Sequence, residues 1–194
     1  MKKLTYPFSE DDVRSLRAGD VVELSGRIYT GRDRLHKYIA DGGAFPVDFK
    51  DGALYHCGPV CVPAGKGEEE WRVVAAGPTT SVRENPYEPD FIARSGVRVI
   101  IGKGGMDERT LKALAEHGAV YVQAVGGAGA LYASSIKRVA GVSLLDKFGA
   151  AEAVWHFDVV DFRGVVAMDA RGNSLFDEVV RISESQRKQF DEMD

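Results

Sequence analysis

An apolar run from Val97 to Ile101 leads into Gly102-Lys103-Gly104-Gly105, then into an amphipathic stretch from Asp107 to His117 that Gly118 closes. The order repeats at once, with Ala119 to Val125, Gly126-Gly127-Ala128-Gly129 and Ala130 to Ile136. Strand, glycine loop and helix in succession commit a chain to an α/β layered fold, because each buried strand needs a helix to cover it. Glycine is correspondingly abundant, at 22 of 194 residues, against a usual share of ~7%. In such domains the loops at strand ends collect ligands, since glycine admits close backbone approach and helix N-termini offer free N–H groups.

The first half is less regular. Ser9 can cap a first helix, with Val13 and Leu16 facing inward and Gly19-Asp20 stopping it. Asp20 to Ile28 reads as a strand and Arg32-Asp33 opens a short helix bearing Leu35, Tyr38 and Ile39. Ala53 to Cys57 and Trp71 to Ala76 are strands, and Pro63 to Glu70 is a polar hairpin loop or insertion. Asn85-Pro86-Tyr87-Glu88-Pro89 cannot be helix interior, and Asp90 to Ser95 forms a short helix. Ala153 to Val160 and Gly164 to Met168 read as two strands, with a turn at Asp169 to Gly172. The expectation is one α/β domain over 1–194 with a mixed sheet and an exposed polar tail, 183–194.

A net charge of -4 gives no global attraction to nucleic acid or to anionic membrane. No apolar run approaches ~20 residues, and no apolar stretch follows Lys2 and Lys3, so neither a span nor a secretory signal is expected. Cys57 and Cys61 read as reduced thiols of a cytoplasmic protein. Two cysteines are too few for a cluster or a structural zinc, and no His-x-x-x-His pair completes a set. His36, His56, His117 and His156 stand singly, His117 suiting a helix C-terminus. Trp71 and Trp155 read as core.

Three loops end strands and carry cations: Thr30-Gly31-Arg32-Asp33, Gly77-Pro78-Thr79-Thr80-Ser81-Val82-Arg83 and Gly102-Lys103-Gly104-Gly105-Met106. Brought together, they would bind a small anion with more than one carboxylate or phosphate. Nucleotide motifs are missing: there is no P-loop string, and both glycine-rich candidates break the Gly-x-Gly-x-x-Gly pattern, at Asp107 and at Tyr132.

Those loops, with Tyr55-His56-Cys57-Gly58-Pro59 and Gly31-Arg32-Asp33 ahead of His36, resemble the β subunit of two-subunit class I fumarase, equivalent to the C-terminal domain of the single-chain enzymes. L-tartrate dehydratase β subunits share the pattern. Gly149 to Trp155, Asp161-Phe162 and Gly172-Asn173 also look like this family, so the resemblance spans roughly residues 10 to 180.

The resemblance implies a swivelling β/β/α domain and an iron–sulfur hydro-lyase that adds water to fumarate to give L-malate. It implies a [4Fe-4S] cluster held by three cysteines of a partner α subunit, none being bound by this chain alone. Chain and partner would form a heterotetramer or larger assembly. Carried over from the family, Arg32, Thr79, Arg83 and Lys103 meet the dicarboxylate substrate, and Thr79 is the proton acceptor. A free Thr hydroxyl is too weak a base at neutral pH, so a neighbour from the partner would activate it. The alternatives are a tartrate dehydratase β subunit and a dicarboxylate-binding subunit without turnover. Many relatives have Met where this chain has Glu84, and a carboxylate there would pair with Arg83 or point to solvent.

Overall fold

The computed structural model describes residues 1–65 and 70–191, with side chains to residue 187. In chain order the elements are β1 (Lys2–Thr5), α1 (Glu10–Ser15), β2 (Val21–Thr30), α2 (Asp33–Ala40), β3 (Ala53–Tyr55), β4 (Val60–Pro63) and β5 (Trp71–Ala75). A 3-10 turn (Ser81–Glu84) follows, then α3 (Glu88–Ser95), β6 (Val99–Gly102), α4 (Glu108–His117), β7 (Val120–Gln123) and α5 (Gly129–Ser135). The chain ends with β8 (Ile136–Ser143), α6 (Leu145–Phe148), β9 (Val154–Met168) and α7 (Leu175–Asp191).

Seven strands form one mixed sheet in the order β1-β2-β3-β6-β7-β9-β8. β1, β3, β6 and β7 run parallel to β2 through the ladder, while β9 is antiparallel to β7, β8 and β2. Because β9 pairs with both β7 and β2, the sheet closes on itself into a barrel-like ring of β2, β3, β6, β7 and β9. Closure removes the edges of the ring itself and leaves β1 and β8 as the edge strands. It also explains a departure from the sequence reading. Val154 to Met168 is one strand rather than two, since pairing with β2 runs from Val21 to Tyr29 and carries it past Asp161. Asp161 adopts a left-handed φ of 53°, and the register slips opposite it between Leu24 and Gly26. The chain bends there without losing its ladder.

The central parallel strands bury both faces, as parallel strands do. Ala53, Tyr55, Val99, Ile101, Val120 and Val122 belong to the core inside the ring. Their alternating neighbours Leu54, Ile100 and Tyr121 pack outward on Leu35, Ile39, Phe91, Ile92, Ala113 and Leu114 of α2, α3 and α4. The caps follow the sequence: Ser9 Oγ accepts Asp12 N–H, Asp107 accepts Thr110 N–H, and Gly118 ends α4 in a left-handed conformation at φ 65°. α3 starts at Glu88 with Pro89 in its first turn, where a missing N–H costs nothing. β1, β4 and β8 had no clear periodic signal.

β4 and β5 pair as an antiparallel hairpin, but residues 66–69 of the loop expected at Pro63 to Glu70 lie outside the described residues. The expected tail is the end of α7, exposed from 181 to 187, with residues 192–194 outside the described part. No helix among the described residues is long and apolar enough to cross a membrane.

The turn after β9 is organised by one buried carboxylate. Asp169 accepts the backbone N–H groups of Ala18, Arg171 and Asn173 at 2.9–3.1 Å, and also the Asn173 amide. Burial alone would raise its pKa, but the Asn173 side chain and those N–H groups outweigh it and hold it below the usual carboxylate value. Asp169→Ala is expected to cost about 1–3 kcal/mol, the penalty for buried donors left unpaired. The folded-state pKa is depressed, so this stabilisation is full above the unfolded value near ~3.9 and fades as pH falls through the folded value. Urea denaturation of both proteins between neutral and acid pH checks it. A gap that stays constant down to the lowest pH would refute the assignment.

Candidate active site

β2, β3 and β6 are adjacent and parallel, so their C-terminal ends meet on one edge of the sheet. The Arg32 and Lys103 loops leave β2 and β6 there. The Thr79 loop is stitched in by backbone bonds: Thr79 N–H to His56 C=O at 2.7 Å, Lys103 N–H to Thr79 C=O at 3.2 Å and Ser81 N–H to Lys103 C=O at 2.9 Å. The result is an open cleft of about 380 Å³ lined by Arg32, Gly58, Thr79, Thr80, Arg83 and Lys103, together with Gly77 and Pro78. Arg32, Thr79, Arg83 and Lys103, named from the sequence, thus share one cleft.

Each cation is held differently. Arg32 lies 3.3 Å from Glu152 and donates to the Ala151 carbonyl at 3.4 Å, while its Nε is buried without a partner. Gly58 underlies this: a Cβ there would collide with Arg32 Nη1 and with Ala151 O, so only glycine leaves room for the guanidinium. Arg83 Nη2 donates to Thr79 Oγ1 at 2.7 Å, and its Nε lies 3.5 Å from Asp33. Lys103 passes over Gly126, whose missing side chain leaves space beside the ammonium, and has no ion-pair partner among the described residues. Glu152 and Asp33 were not singled out as partners. Both sit within strings already noted, Gly149 to Trp155 and Gly31-Arg32-Asp33, but only the fold brings Glu152 to Arg32.

Glu84 does neither thing expected of it. The 3-10 turn sends Arg83 outward to the cleft and Glu84 inward, where it is fully buried with its Oε2 3.4 Å from His36 Nδ1. His36 and His56 are likewise not scattered. They stack edge to face at 5.4 Å between ring centroids, and both approach Glu88. Burial disfavours the His36 cation, but Glu88 and then Glu84 raise its pKa to about 9. Burial lowers that of His56. Burial pushes Glu84 up to about 8, against the pull of His36 and with help from Asp33. Burial opposes ionisation of Glu88 too, but the charges of His36 and His56 hold it down at about 2. Among the described residues, His36, His56 and Glu88 form a group that could hold a metal ion.

The cysteines do not fit an iron–sulfur cluster. Such clusters are held by thiolates. Cys57 is buried in the ring core and burial pushes its thiol up; burial pushes Cys61 up to about 12. Both stay protonated at neutral pH.

The family model described as fumarase C-terminus matches residues 2–179. The chain belongs to this family. It is 50% identical over 189 residues to a Geobacillus stearothermophilus protein that bears the name of a class I fumarate hydratase, covering 97% of this chain and 36% of that protein. The chain therefore spans about a third of the length of that relative. It is 42% identical to a Methanocaldococcus jannaschii protein named for the β subunit of L(+)-tartrate dehydratase, covering 91% of this chain and 93% of that one. The L(+)-tartrate dehydratase β subunit of Escherichia coli K12 is 33% identical, over 92% of this chain and 88% of that subunit. The α/β fold with its mixed sheet is the one expected of this fumarase C-terminus family.

Proposed function

We propose that this chain is the β subunit of an iron–sulfur-dependent fumarate hydratase of the cytoplasm, active only with an α subunit that carries the cluster. The observation that carries the reading is the convergence of Arg32, Arg83 and Lys103 on one cleft with Thr79 between them. Three cations suit a substrate with two carboxylates whose charge grows as a proton leaves the adjacent carbon. Arg83 can grip a carboxylate through parallel N–H donors, and Lys103 supplies a point charge with no competing ion-pair partner among the described residues. Arg32, anchored by Glu152 and Ala151, acts as a fixed wall.

Thr79 is the proton acceptor in this reading. The Arg83 guanidinium donates to its Oγ1 at 2.7 Å, so a charged donor of the same chain stabilises the deprotonated hydroxyl. Activation therefore need not come wholly from the partner.

A tartrate dehydratase β subunit is the second reading, favoured by the near full-length matches to two proteins of that name. An anaerobic assay with fumarate and L-tartrate in parallel separates them, using this chain alone and then with a reconstituted α subunit. Fumarate hydration only in the mixture is expected. Turnover of tartrate alone would replace the first reading with the second. No turnover of either, with complex and cluster intact, would leave a dicarboxylate-binding subunit.

A further inference from the structure

Beneath the cleft, and apart from the side chains that line it, His36 of α2, His56 after β3 and Glu88 of α3 meet in a fully buried cluster. His36 Nε2 lies 3.0 Å and His56 Nε2 3.1 Å from the same oxygen, Glu88 Oε2. Neither nitrogen makes an aligned hydrogen bond to it, and both Glu88 oxygens are without a hydrogen-bond partner. Buried polar atoms are seldom left so.

The second nitrogen of His36 sharpens the point. Nδ1 is 3.0 Å from the Arg32 carbonyl, which can only accept, so Nδ1 carries a proton. A neutral His36 then turns the lone pair of Nε2 toward a carboxylate oxygen in a site without solvent, which is repulsive. With the Glu88 carboxyl held in its ionised form, a positive charge has to stand among the three groups. A proton on His36 Nε2 would supply it and would be expected to line up N–H with Oε2, since hydrogen bonds favour angles above ~150°. That alignment is missing. A cation bound by all three groups needs no N–H to point at the oxygen.

We propose that His36 Nε2, His56 Nε2 and the Glu88 carboxylate bind a divalent first-row transition ion, with Zn²⁺ the best match, at a structural site distinct from the substrate cleft. Two imidazoles and a carboxylate are a zinc ligand set. Their ligand atoms lie within 4.8 Å of one another, compatible with ligands ~2.0–2.2 Å from one ion. Glu88 Oε2 is the third ligand atom, and its unpartnered Oε1 is available for the fourth position. The surroundings match as well, because ligating histidines donate their other N–H to a carbonyl or polar oxygen. His36 Nδ1 has the Arg32 carbonyl, and His56 Nδ1 has Ser81 Oγ at 2.8 Å, which Tyr121 OH also reaches at 3.0 Å. Glu84 faces Nδ1 of His36 rather than Nε2, so it sits outside the ligand set. The ion would tie α2, the end of β3 and α3 together under the loops that carry Arg32 and Thr79.

The test uses the full chain expressed in metal-depleted medium. With Zn²⁺ added, one equivalent is expected to stay bound through gel filtration and to raise Tm. Co²⁺ in its place is expected to show visible d–d bands without thiolate charge transfer. Glu88→Gln and His56→Gln are each expected to weaken retention at least ~100-fold. If neither variant folds, the measurements on the unaltered chain decide. Absence of stoichiometric metal on that chain would overturn the proposal, as would cobalt–thiolate absorption from Cys57 and Cys61. Undiminished binding in a folded variant would overturn it too. A histidine nitrogen NMR spectrum showing His36 as an imidazolium in Zn²⁺-supplied protein would assign a buried ion pair instead.

Discussion

Lys103→Ala is expected to lower kcat/KM of the assembled enzyme by about 10²–10³-fold, the loss typical of removing one donor aimed at developing charge. The side chain has no ion-pair partner in its own chain among the described residues, so its removal orphans no buried group and Tm should stay within about a degree. Arg83→Ala should match the rate loss but with an additional signature. It strips Thr79 Oγ1 of its donor at 2.7 Å and frees Asp33, so kcat should fall more than KM rises. Steady-state kinetics of the two variants with a cluster-loaded α subunit measure both effects. Near-normal rates in either variant, in a complex that still forms, would remove these residues from the active site.

The largest loss of stability is expected at Trp155. Its indole is fully buried and meets Trp71 edge to face at 5.1 Å between ring centroids. Its Nε1–H donates to Ala150 C=O at 2.8 Å, and its backbone N–H donates to Thr30 Oγ1 at 2.8 Å. Trp155→Ala opens a cavity and leaves the Ala150 carbonyl unpaired, at a cost of about 3–5 kcal/mol. Against a typical total of about 5–15 kcal/mol this is a large share. Tm should drop by ~10 °C or more. The damage is also expected to reach the cleft, because Ala151 and Glu152, which hold Arg32, lie between Ala150 and this tryptophan. Trp155→Phe keeps most of the packing and should recover most of the stability. A thermal melt of the three proteins decides; a Trp155→Ala protein that melts with the parent would show that the indole is not a core element.

The cation-bearing loops, the helix caps and the family resemblance were all legible along the chain, because each rests on neighbours in sequence. A glycine loop behind a β-branched run, Ser9 three residues before Asp12 and Gly118 after His117 act within one turn of the backbone. Pairing is different. β9 was read as two strands because Asp161 and Gly164 interrupt its periodicity, and only the ladder to β2 carries the chain through that bend. β1, β4 and β8 are short or at sheet edges, where one-sided burial leaves a weak pattern.

The site divides the same way. The sequence by itself placed the cations Arg32, Arg83 and Lys103 in strand-end loops, and the family resemblance singled out Thr79 beside them. Only the tertiary structure decided that β2, β3 and β6 end side by side, so that those loops share one cleft. It also decided where neighbouring side chains point. Arg83 and Glu84 are adjacent in the chain, yet the 3-10 turn aims one at the cleft and buries the other. His36, His56 and Glu88 come from three separate elements and meet only because parallel strands and their covering helices stack in register. Local chemistry is written in the order of residues, whereas convergence depends on long-range pairing that no short window of sequence contains.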